Sequence, residues 1–141
     1  MYGAILGDII GSPFEFDRGD KTKNFDLFSK GCDFTDDSVM TIAVGEALLA
    51  VGTEATVKEI EEAVITNMQD WGKRYPYAGY GGRFRHWLKE KSPKPYGSYG
   101  NGSAMRVSAA GWLYDSLERT REVARATANV THNHPEGIKG A

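Results

Sequence analysis

A threonine and two adjacent carboxylates, Thr35, Asp36 and Asp37, stand where a polar loop gives way to an apolar run. A hydroxyl and two carboxylates are hard oxygen ligands that suit Mg²⁺, which keeps several waters and therefore needs few protein groups. Threonine and aspartate are also favoured at helix N-termini, where the macrodipole stabilises negative charge. The segment therefore indicates a helix cap, part of a magnesium site, or both.

Two physical constraints bear on the magnesium interpretation. The helix dipole disfavours a cation, so further anionic ligands must come from elsewhere in the fold. Neighbouring side chains on a helix point about 100° apart, so Asp36 and Asp37 share one ion only through a distorted turn or bridging waters. Glu15 is another candidate, because its flanks Phe14 and Phe16 favour a partly desolvated carboxyl with a raised pKa. A solvated loop glutamate is the alternative.

Two glycine-rich segments could bind a phosphate. The sequence "GSYGNG" at 97–102 combines three glycines with serine, tyrosine and asparagine, and "GYGGRF" at 79–84 is a second such loop. Glycine-rich turns before helices often present backbone N–H groups to phosphates. The first segment matches neither the Walker A nor the dinucleotide-binding pattern. A purely structural loop is therefore the alternative for both.

Two histidines, His132 and His134, lie two residues apart near the C-terminus. Zinc binding is disfavoured, because the single Cys32 and the distant His86 give no recognisable zinc spacing. We expect such a histidine to donate a hydrogen bond to a substrate or to cap a helix end.

The segments that position these groups have helical periodicity. Apolar residues at helical spacing predict a largely buried helix over 38–51, ended by Gly52. A capping box of Thr56 and Glu59 begins the next, amphipathic helix. The three tryptophans fall on helical faces and are expected in the core: Trp71, Trp87 and Trp112.

Other segments extend this pattern. Gly3, Gly7 and Gly11 form a stripe on the opening helix, which predicts tight packing against a neighbour. A short helix is predicted near 83–91, and Thr120 is the expected N-cap of a later one. Since no run of four to eight residues alternates as a strand does, we predict an all-α fold.

Composition restricts the class of protein. At 141 residues the chain has the length of one ordinary domain, and we expect residues 1–141 to fold as a unit. Its 17 basic and 19 acidic side chains give a net charge of −2, without a run of charge that would bind nucleic acid. The single Cys32 and the lack of a signal-peptide pattern favour a reducing, cytoplasmic setting. No apolar run approaches the roughly 18 residues that a membrane span needs.

Four segments, "GAILGDIIGSPFEF", "FTDDSVM", "SYGNGSAMRV" and "THNHPEGIKGA", occur in this order across residues 3–141. Together they closely resemble the ADP-ribosylglycohydrolase family. The resemblance implies a compact, orthogonal, all-α domain with two Mg²⁺ ions in a cleft. It also implies hydrolysis of the glycosidic bond between ADP-ribose and a protein or small-molecule acceptor, the acceptor itself being left open.

The resemblance also implies roles for individual residues. Thr35, Asp36 and Asp37 match the family's first metal motif, and Glu15 matches the acidic residue near the second ion. Glu15 and Asp36 are thereby the catalytic candidates, with Mg²⁺ activating a water while a carboxylate takes or supplies a proton. His132 matches a histidine that contacts ADP-ribose. The loop that holds its diphosphate and ribose matches Gly97, Ser98, Tyr99, Gly100, Asn101 and Gly102.

One family motif has no match. A later Asp-x-Asp-Thr motif supplies the remaining metal ligands in the family, and this sequence does not contain it. The resemblance therefore covers an N-terminal half, whether a fragment or a natural truncation, and implies a half-formed metal site. Such a half is expected to self-associate or to need a complementing C-terminal half. The alternatives are a non-catalytic ADP-ribose-binding or structural protein that retains the fold, and a nucleotide-binding regulator that uses residues 97–102 without metal.

Overall fold

The computed structural model describes residues 1–16 and 22–141. Every regular element within these ranges is helical, which confirms the predicted all-α fold. A short 3₁₀ helix lies at Ser12–Phe14. None of the helices in the described ranges combines the length and apolar character that a membrane crossing needs. The α-helices are α1 (Tyr2–Gly11), α2 (Asp36–Val51), α3 (Val57–Arg74), α4 (Gly82–Trp87), α5 (Gly102–Met105), α6 (Ala110–Leu113), α7 (Leu117–Asn129) and α8 (Pro135–Gly140).

Helix α2 is the centre of the fold. Thr35 is its N-cap, and the Thr35 hydroxyl accepts from the N–H of Asp37 at 3.4 Å. Gly52 ends the helix with a φ of +81°, a conformation that favours glycine, as the sequence predicted. The helix packs against α1 and α3. Its core residues are Val39, Met40, Ala43, Val44, Ala47 and Leu48.

Helix α3 begins with the predicted capping box. The Thr56 hydroxyl accepts from the N–H of Glu59 at 3.3 Å, and the Glu59 carboxylate accepts from the N–H of Thr56 at 2.8 Å. Two otherwise unpaired N–H groups are thereby satisfied, which fixes the start of the helix. The apolar stripe that packs toward α2 and α7 is fully buried: Ile60, Val64 and Met68.

Two predictions from the sequence, the N-cap of α7 and the burial of Trp112, are wrong. Ser116, and not Thr120, caps α7 by accepting from the N–H of Arg119 at 3.1 Å. The Arg119 side chain also donates to the backbone carbonyls of residues 53 and 55, which ties this earlier turn to the fold. Trp87 is buried as expected, but Trp112 is 78% exposed on the four-residue α6.

Helix α1 lies against α2 without a fully buried residue of its own. No described atom lies within 4 Å of where a Cβ would stand at Gly3, Gly7 or Gly11. The prediction of tight packing along this glycine stripe is therefore wrong within the described ranges. What α1 contributes instead is a single carboxylate, Asp8, directed at the start of α2.

Candidate functional site

Three carboxylates meet at the N-terminus of α2. Oxygen atoms of Asp8, Glu15 and Asp37 all lie within 4.8 Å of one another, and each side chain is half-buried. Glu15 follows the 3₁₀ helix and lies next to Phe16, which is 75% exposed. We call these three residues the carboxylate cluster. Hard oxygen donors at this spacing suit a divalent cation such as Mg²⁺.

Asp8 is fixed by three hydrogen bonds from the turn that begins α2. Its Oδ2 accepts from the N–H groups of Thr35 at 2.8 Å and Ser38 at 3.0 Å. Its Oδ1 accepts from the Thr35 hydroxyl at 2.6 Å. A carboxylate offers about four lone-pair sites, so one site on Oδ1 stays available for a cation. Thr35 caps α2 and donates to Asp8, and its role as a metal ligand stays a prediction.

The sequence reasoning did not identify Asp8. The signal that could have found it is its position as a charged residue within the otherwise apolar segment 2–11. A carboxylate on such a helix needs hydrogen-bond partners or an ion, since burying an unpaired charge is costly. The partners belong to Thr35 and Ser38, about 30 residues away in the chain, and no local pattern reveals them.

Asp36 is not one of the three residues of the carboxylate cluster, although the charges of Glu15 and Asp8 reach it. Its side chain lines a separate cavity of about 310 Å³. Burial, together with the charges of Asp37, Glu15 and Asp8, raises the pKa of Asp36 to about 6. Burial and the charge of Asp8 likewise raise the pKa of Asp37. The divergence expected for neighbouring helical side chains therefore directs the two aspartates to different surroundings.

Both glycine-rich segments contribute residues to the lining of this cavity. Gly79 has a φ of +102°, which favours glycine, and a Cβ there would make an ordinary contact of 3.5 Å with the Asp36 carboxylate. A Cβ on Gly102 would lie 3.0 Å from His132 Nε2, so only glycine lets this loop approach the imidazole. The cavity is lined by Asp36, Gly81, Gly82, Arg83, Phe84, Tyr96, Ser98, Gly100, Asn101, Gly102, Met105, Arg106 and His132.

The structure therefore brings five of the seven predicted ligand-binding residues to one cavity with Asp36. They are Ser98, Gly100, Asn101, Gly102 and His132. The other two lie beside it. The N–H of Gly97 donates to Asn133 at 2.8 Å, and the Tyr99 ring, 75% exposed, lies 5.3 Å from the ring of His134.

Helix α8 packs against the loop 97–102 and the start of α5. The Ser103 hydroxyl donates to the carbonyl of Gly137 at 2.6 Å, and the backbone at Gly137 approaches the carbonyl of Ser98 closely. His134 Nδ1 accepts from the N–H of Glu136 at 3.2 Å. His134 is therefore an N-cap, which is the role expected for a histidine without zinc.

A second, larger cleft of about 680 Å³ lies between the 53–57 loop and the start of α7. Its basic residue Arg119 already donates to the carbonyls of Thr53 and Ala55 and pairs with Glu122. Since that guanidinium is already bonded to protein acceptors, this cleft has weaker ligand-binding chemistry than the cavity at Asp36.

Comparisons with known proteins place this geometry in context. Residues 1–141 match the family model described as ADP-ribosylglycohydrolase. ADP-ribosylhydrolase ARH3 of Homo sapiens is 31% identical over 170 aligned residues, which cover 100% of this chain and 46% of that protein. The same protein of Bos taurus is 32% identical over 171 residues, covering 100% and 45%.

A bacterial relative shows the same pattern of coverage. The ADP-ribosyl dinitrogen reductase glycohydrolase of Rhodospirillum rubrum is 28% identical over 152 residues, covering 94% of this chain and 50% of that protein. The chain therefore spans about half the length of the curated relatives it matches.

Proposed function

The chain belongs to the ADP-ribosylglycohydrolase family, and on this basis we propose that it takes part in Mg²⁺-dependent hydrolysis of the bond between ADP-ribose and an acceptor. The observation that carries the proposal is the adjacency of two sites. Asp37 belongs to the carboxylate cluster, whereas the preceding residue, Asp36, lines the glycine-walled cavity. A cation and a phosphate-bearing ligand could thus be bound side by side.

The carboxylate cluster fits Mg²⁺ by its donor chemistry. Asp8, Glu15 and Asp37 would supply the protein oxygens, and their combined negative charge offsets the unfavourable helix dipole. Burial, and after it the charge of Asp8, raises the pKa of Asp37, so a bound cation would favour its ionised form. When bound, Mg²⁺ supplies Lewis acidity that orients ribose hydroxyls and lowers the pKa of a water.

The cavity supplies the binding contacts for the ligand. In the loop 97–102 the N–H groups of Gly97, Ser98 and Gly100 already donate to protein acceptors. The remaining loop N–H groups and the imidazole of His132 would donate to diphosphate oxygens. Arg83, which also lines the cavity, adds a cation that can face those oxygens. An ADP-ribosylated protein or small molecule is the proposed substrate, and the single Cys32 is compatible with the reducing, cytoplasmic setting that we propose.

Asp36 is the proposed acid–base residue. Its pKa of about 6 lies near working pH, where a carboxyl can both take and return a proton efficiently. Partial burial keeps it in a reduced dielectric, and its position on the cavity wall gives it access to a bound ligand. Glu15, whose charge contributes to the raised pKa of Asp36, is the second catalytic candidate.

Release of ADP-ribose tests the proposal. The purified chain with Mg²⁺ should free ADP-ribose from arginine-, serine- or nucleic-acid-linked substrates, and a chelator should stop the release. Asp36→Asn should slow release by about 100-fold or more, the range of a general acid or base. The exposed Asp26→Asn serves as the control. No release from any of these substrates would overturn the proposal for this chain.

A second candidate is an ADP-ribose-binding protein without catalysis. The observation that favours it is that the hydrogen bonds shaping the cavity wall do not involve the carboxylate cluster. The N–H groups of Gly97 and Ser98 donate to Asn133 and to the carbonyl of Thr131, and Ser103 bonds to Gly137. Metal-independent binding of ADP-ribose without release would support this candidate.

A further inference from the structure

Arg106 is a buried cation next to the cavity. Its side chain is 1% exposed, and its Nη2 donates to the carbonyl of Thr127 at 3.0 Å and to the Thr131 hydroxyl at 2.7 Å. Among residues 1–16 and 22–141, no carboxylate pairs with it. Since a buried charge requires partners, these neutral acceptors determine the direction in which the guanidinium donates.

The Thr131 hydroxyl links the Arg106 guanidinium to the imidazole of His132. The residue is fully buried, and its Oγ1, which accepts from Arg106, lies 2.7 Å from His132 Nδ1. The hydroxyl has one proton of its own, and within the described part of the chain the acceptor in reach is that Nδ1. If Nδ1 carried a proton instead, the hydroxyl proton would be buried without an acceptor, which is unfavourable.

We propose that Arg106 and Thr131 are positioning residues that hold His132 as the neutral tautomer protonated on Nε2. The hydrogen bonds then run from the guanidinium to the hydroxyl to Nδ1, and the Nε2–H becomes a fixed donor toward the glycine-rich loop. The inference rests on the proposed function in one respect, that the acceptor it serves is a phosphate oxygen of ADP-ribose.

The surroundings of Nε2 agree with this role. A Cβ built on Gly102 or Gly100 would lie 3.0 Å or 4.0 Å from Nε2, so this nitrogen faces the loop that lines the cavity. Burial and the charge of Arg106 lower the pKa of His132 to about 4, which keeps the ring neutral near pH 7. In the opposite tautomer the Nε2 lone pair would face the phosphate oxygen and repel it.

The tautomer can be measured without any ligand. Long-range ¹H–¹⁵N NMR of the ligand-free 141-residue chain at pH 7 should show His132 with Nε2 protonated and Nδ1 bare. His86, whose side chain is 82% exposed, provides an internal reference. Thr131→Val should allow both tautomers and average the two ¹⁵N shifts, whereas Thr131→Ser should restore the fixed tautomer.

The matched control is Thr127→Val. Thr127 is also fully buried, but its hydroxyl donates to the carbonyl of Ala124 at 2.8 Å, and Arg106 bonds only its backbone. This variant should leave the His132 shifts unchanged. A protonated Nδ1 or averaged shifts in the unmodified chain would overturn the proposal, as would an unchanged tautomer in folded Thr131→Val.

Calorimetry with ADP-ribose then separates this inference from the proposed function. Thr131→Val should weaken binding by about tenfold or more, as expected for a lost hydrogen bond to a charged acceptor. Thr131→Ser and Thr127→Val should bind like the unmodified chain, and equal binding by Thr131→Val would contradict the role of the donor. A fixed tautomer in a chain that does not bind ADP-ribose would support the positioning role and contradict the proposed function.

Discussion

Asp36 and Asp37 are consecutive residues whose different surroundings give them different chemistry. Asp37 lies with Asp8 and Glu15, where repulsion between carboxylates favours a cation. Asp36 lines the cavity, and burial is the largest cause of its raised pKa, ahead of the charge of Asp37. In the proposed function, Asp37 would bind the metal and Asp36 would transfer a proton.

The pKa of Asp36 predicts a pH-dependent effect on stability. The pKa is about 6 in the folded protein and 3.8 for an unperturbed group, so the folded protein binds the extra proton between these values. The contribution of Asp36 to stability therefore falls as pH rises through this window. Asp36→Asn has no carboxyl to ionise and therefore avoids this loss of stability. It should raise the free energy of unfolding of the metal-free protein at pH 7 by on the order of 1 kcal/mol, a value that allows for the partial exposure of Asp36.

Thermal melts in a chelator from pH 4 to pH 7 would measure this effect. The difference in Tm between Asp36→Asn and the unmodified chain should be small at pH 4 and grow toward pH 7. The exposed Asp26→Asn is the control. A difference that stays constant across the range would contradict the assigned pKa.

At the scale of helices, α8 maintains the shape of the loop over the cavity. A Cβ on Gly137 would lie 2.5 Å from the carbonyl oxygen of Ser98 and 3.0 Å from the Cβ of His132. Gly137→Ala must therefore displace α8 or the loop. We expect it to lower the free energy of unfolding by about 1–3 kcal/mol, the usual cost of overpacking, and to weaken ADP-ribose binding.

Denaturant unfolding with a matched variant tests this packing. Gly140→Ala lies on the same helix, where an added Cβ would make an ordinary contact of 3.9 Å with Ala104. It should leave stability and ligand binding nearly unchanged. Equal stability of Gly137→Ala and Gly140→Ala would show that α8 does not restrain the loop.

Locally encoded elements could be predicted from the sequence, and contact-dependent ones could not. The capping box of Thr56 and Glu59 and the stop at Gly52 depend on residues near in the chain, and both are confirmed. Ser116 and Thr120 are equally good caps by type, and long-range bonds of Arg119 favour the earlier turn. Trp112 is exposed because the four-residue α6 buries Ala110 and leaves the position of Trp112 on the solvent side.

The same distinction holds for the site. The motif around Thr35 and the loop 97–102 could be identified by composition and resemblance, whereas Asp8 depends on hydrogen bonds across about 30 residues. The hydrogen bonds that link Arg106 through Thr131 to His132 also depend on tertiary packing, since Arg106 and His132 lie 26 positions apart. Sequence reasoning therefore identified groups within the two motifs and missed Asp8, Arg106 and Thr131, whose places in the site depend on long-range contacts.

At the scale of the molecule, exposed apolar side chains concentrate near the N-terminus. Of the fourteen large apolar residues that are exposed in the described ranges, eight lie in the first 34 residues. They are Met1, Tyr2, Leu6, Phe16, Phe25, Leu27, Phe28 and Phe34. Exposed apolar side chains promote association where they form a patch.

We therefore expect the chain to self-associate in solution. Sedimentation velocity should give a sedimentation coefficient that rises with protein concentration. Leu27→Gln, at a side chain that is 62% exposed, should reduce this rise. Leu117→Gln is the control, because Leu117 is 65% exposed at the start of α7. Monomeric behaviour at all concentrations would contradict the expectation.

The central claim is that the carboxylate cluster and the cavity act together on one ligand. Calorimetric titration of ADP-ribose with and without Mg²⁺ tests it most directly, using the unmodified chain, Asp37→Asn and the exposed control Asp26→Asn. Mg²⁺ should tighten binding by about tenfold, or 1.4 kcal/mol, in the unmodified chain and the control, and should have no effect in Asp37→Asn. Equal affinity with and without Mg²⁺, or no binding at all, would contradict the claim.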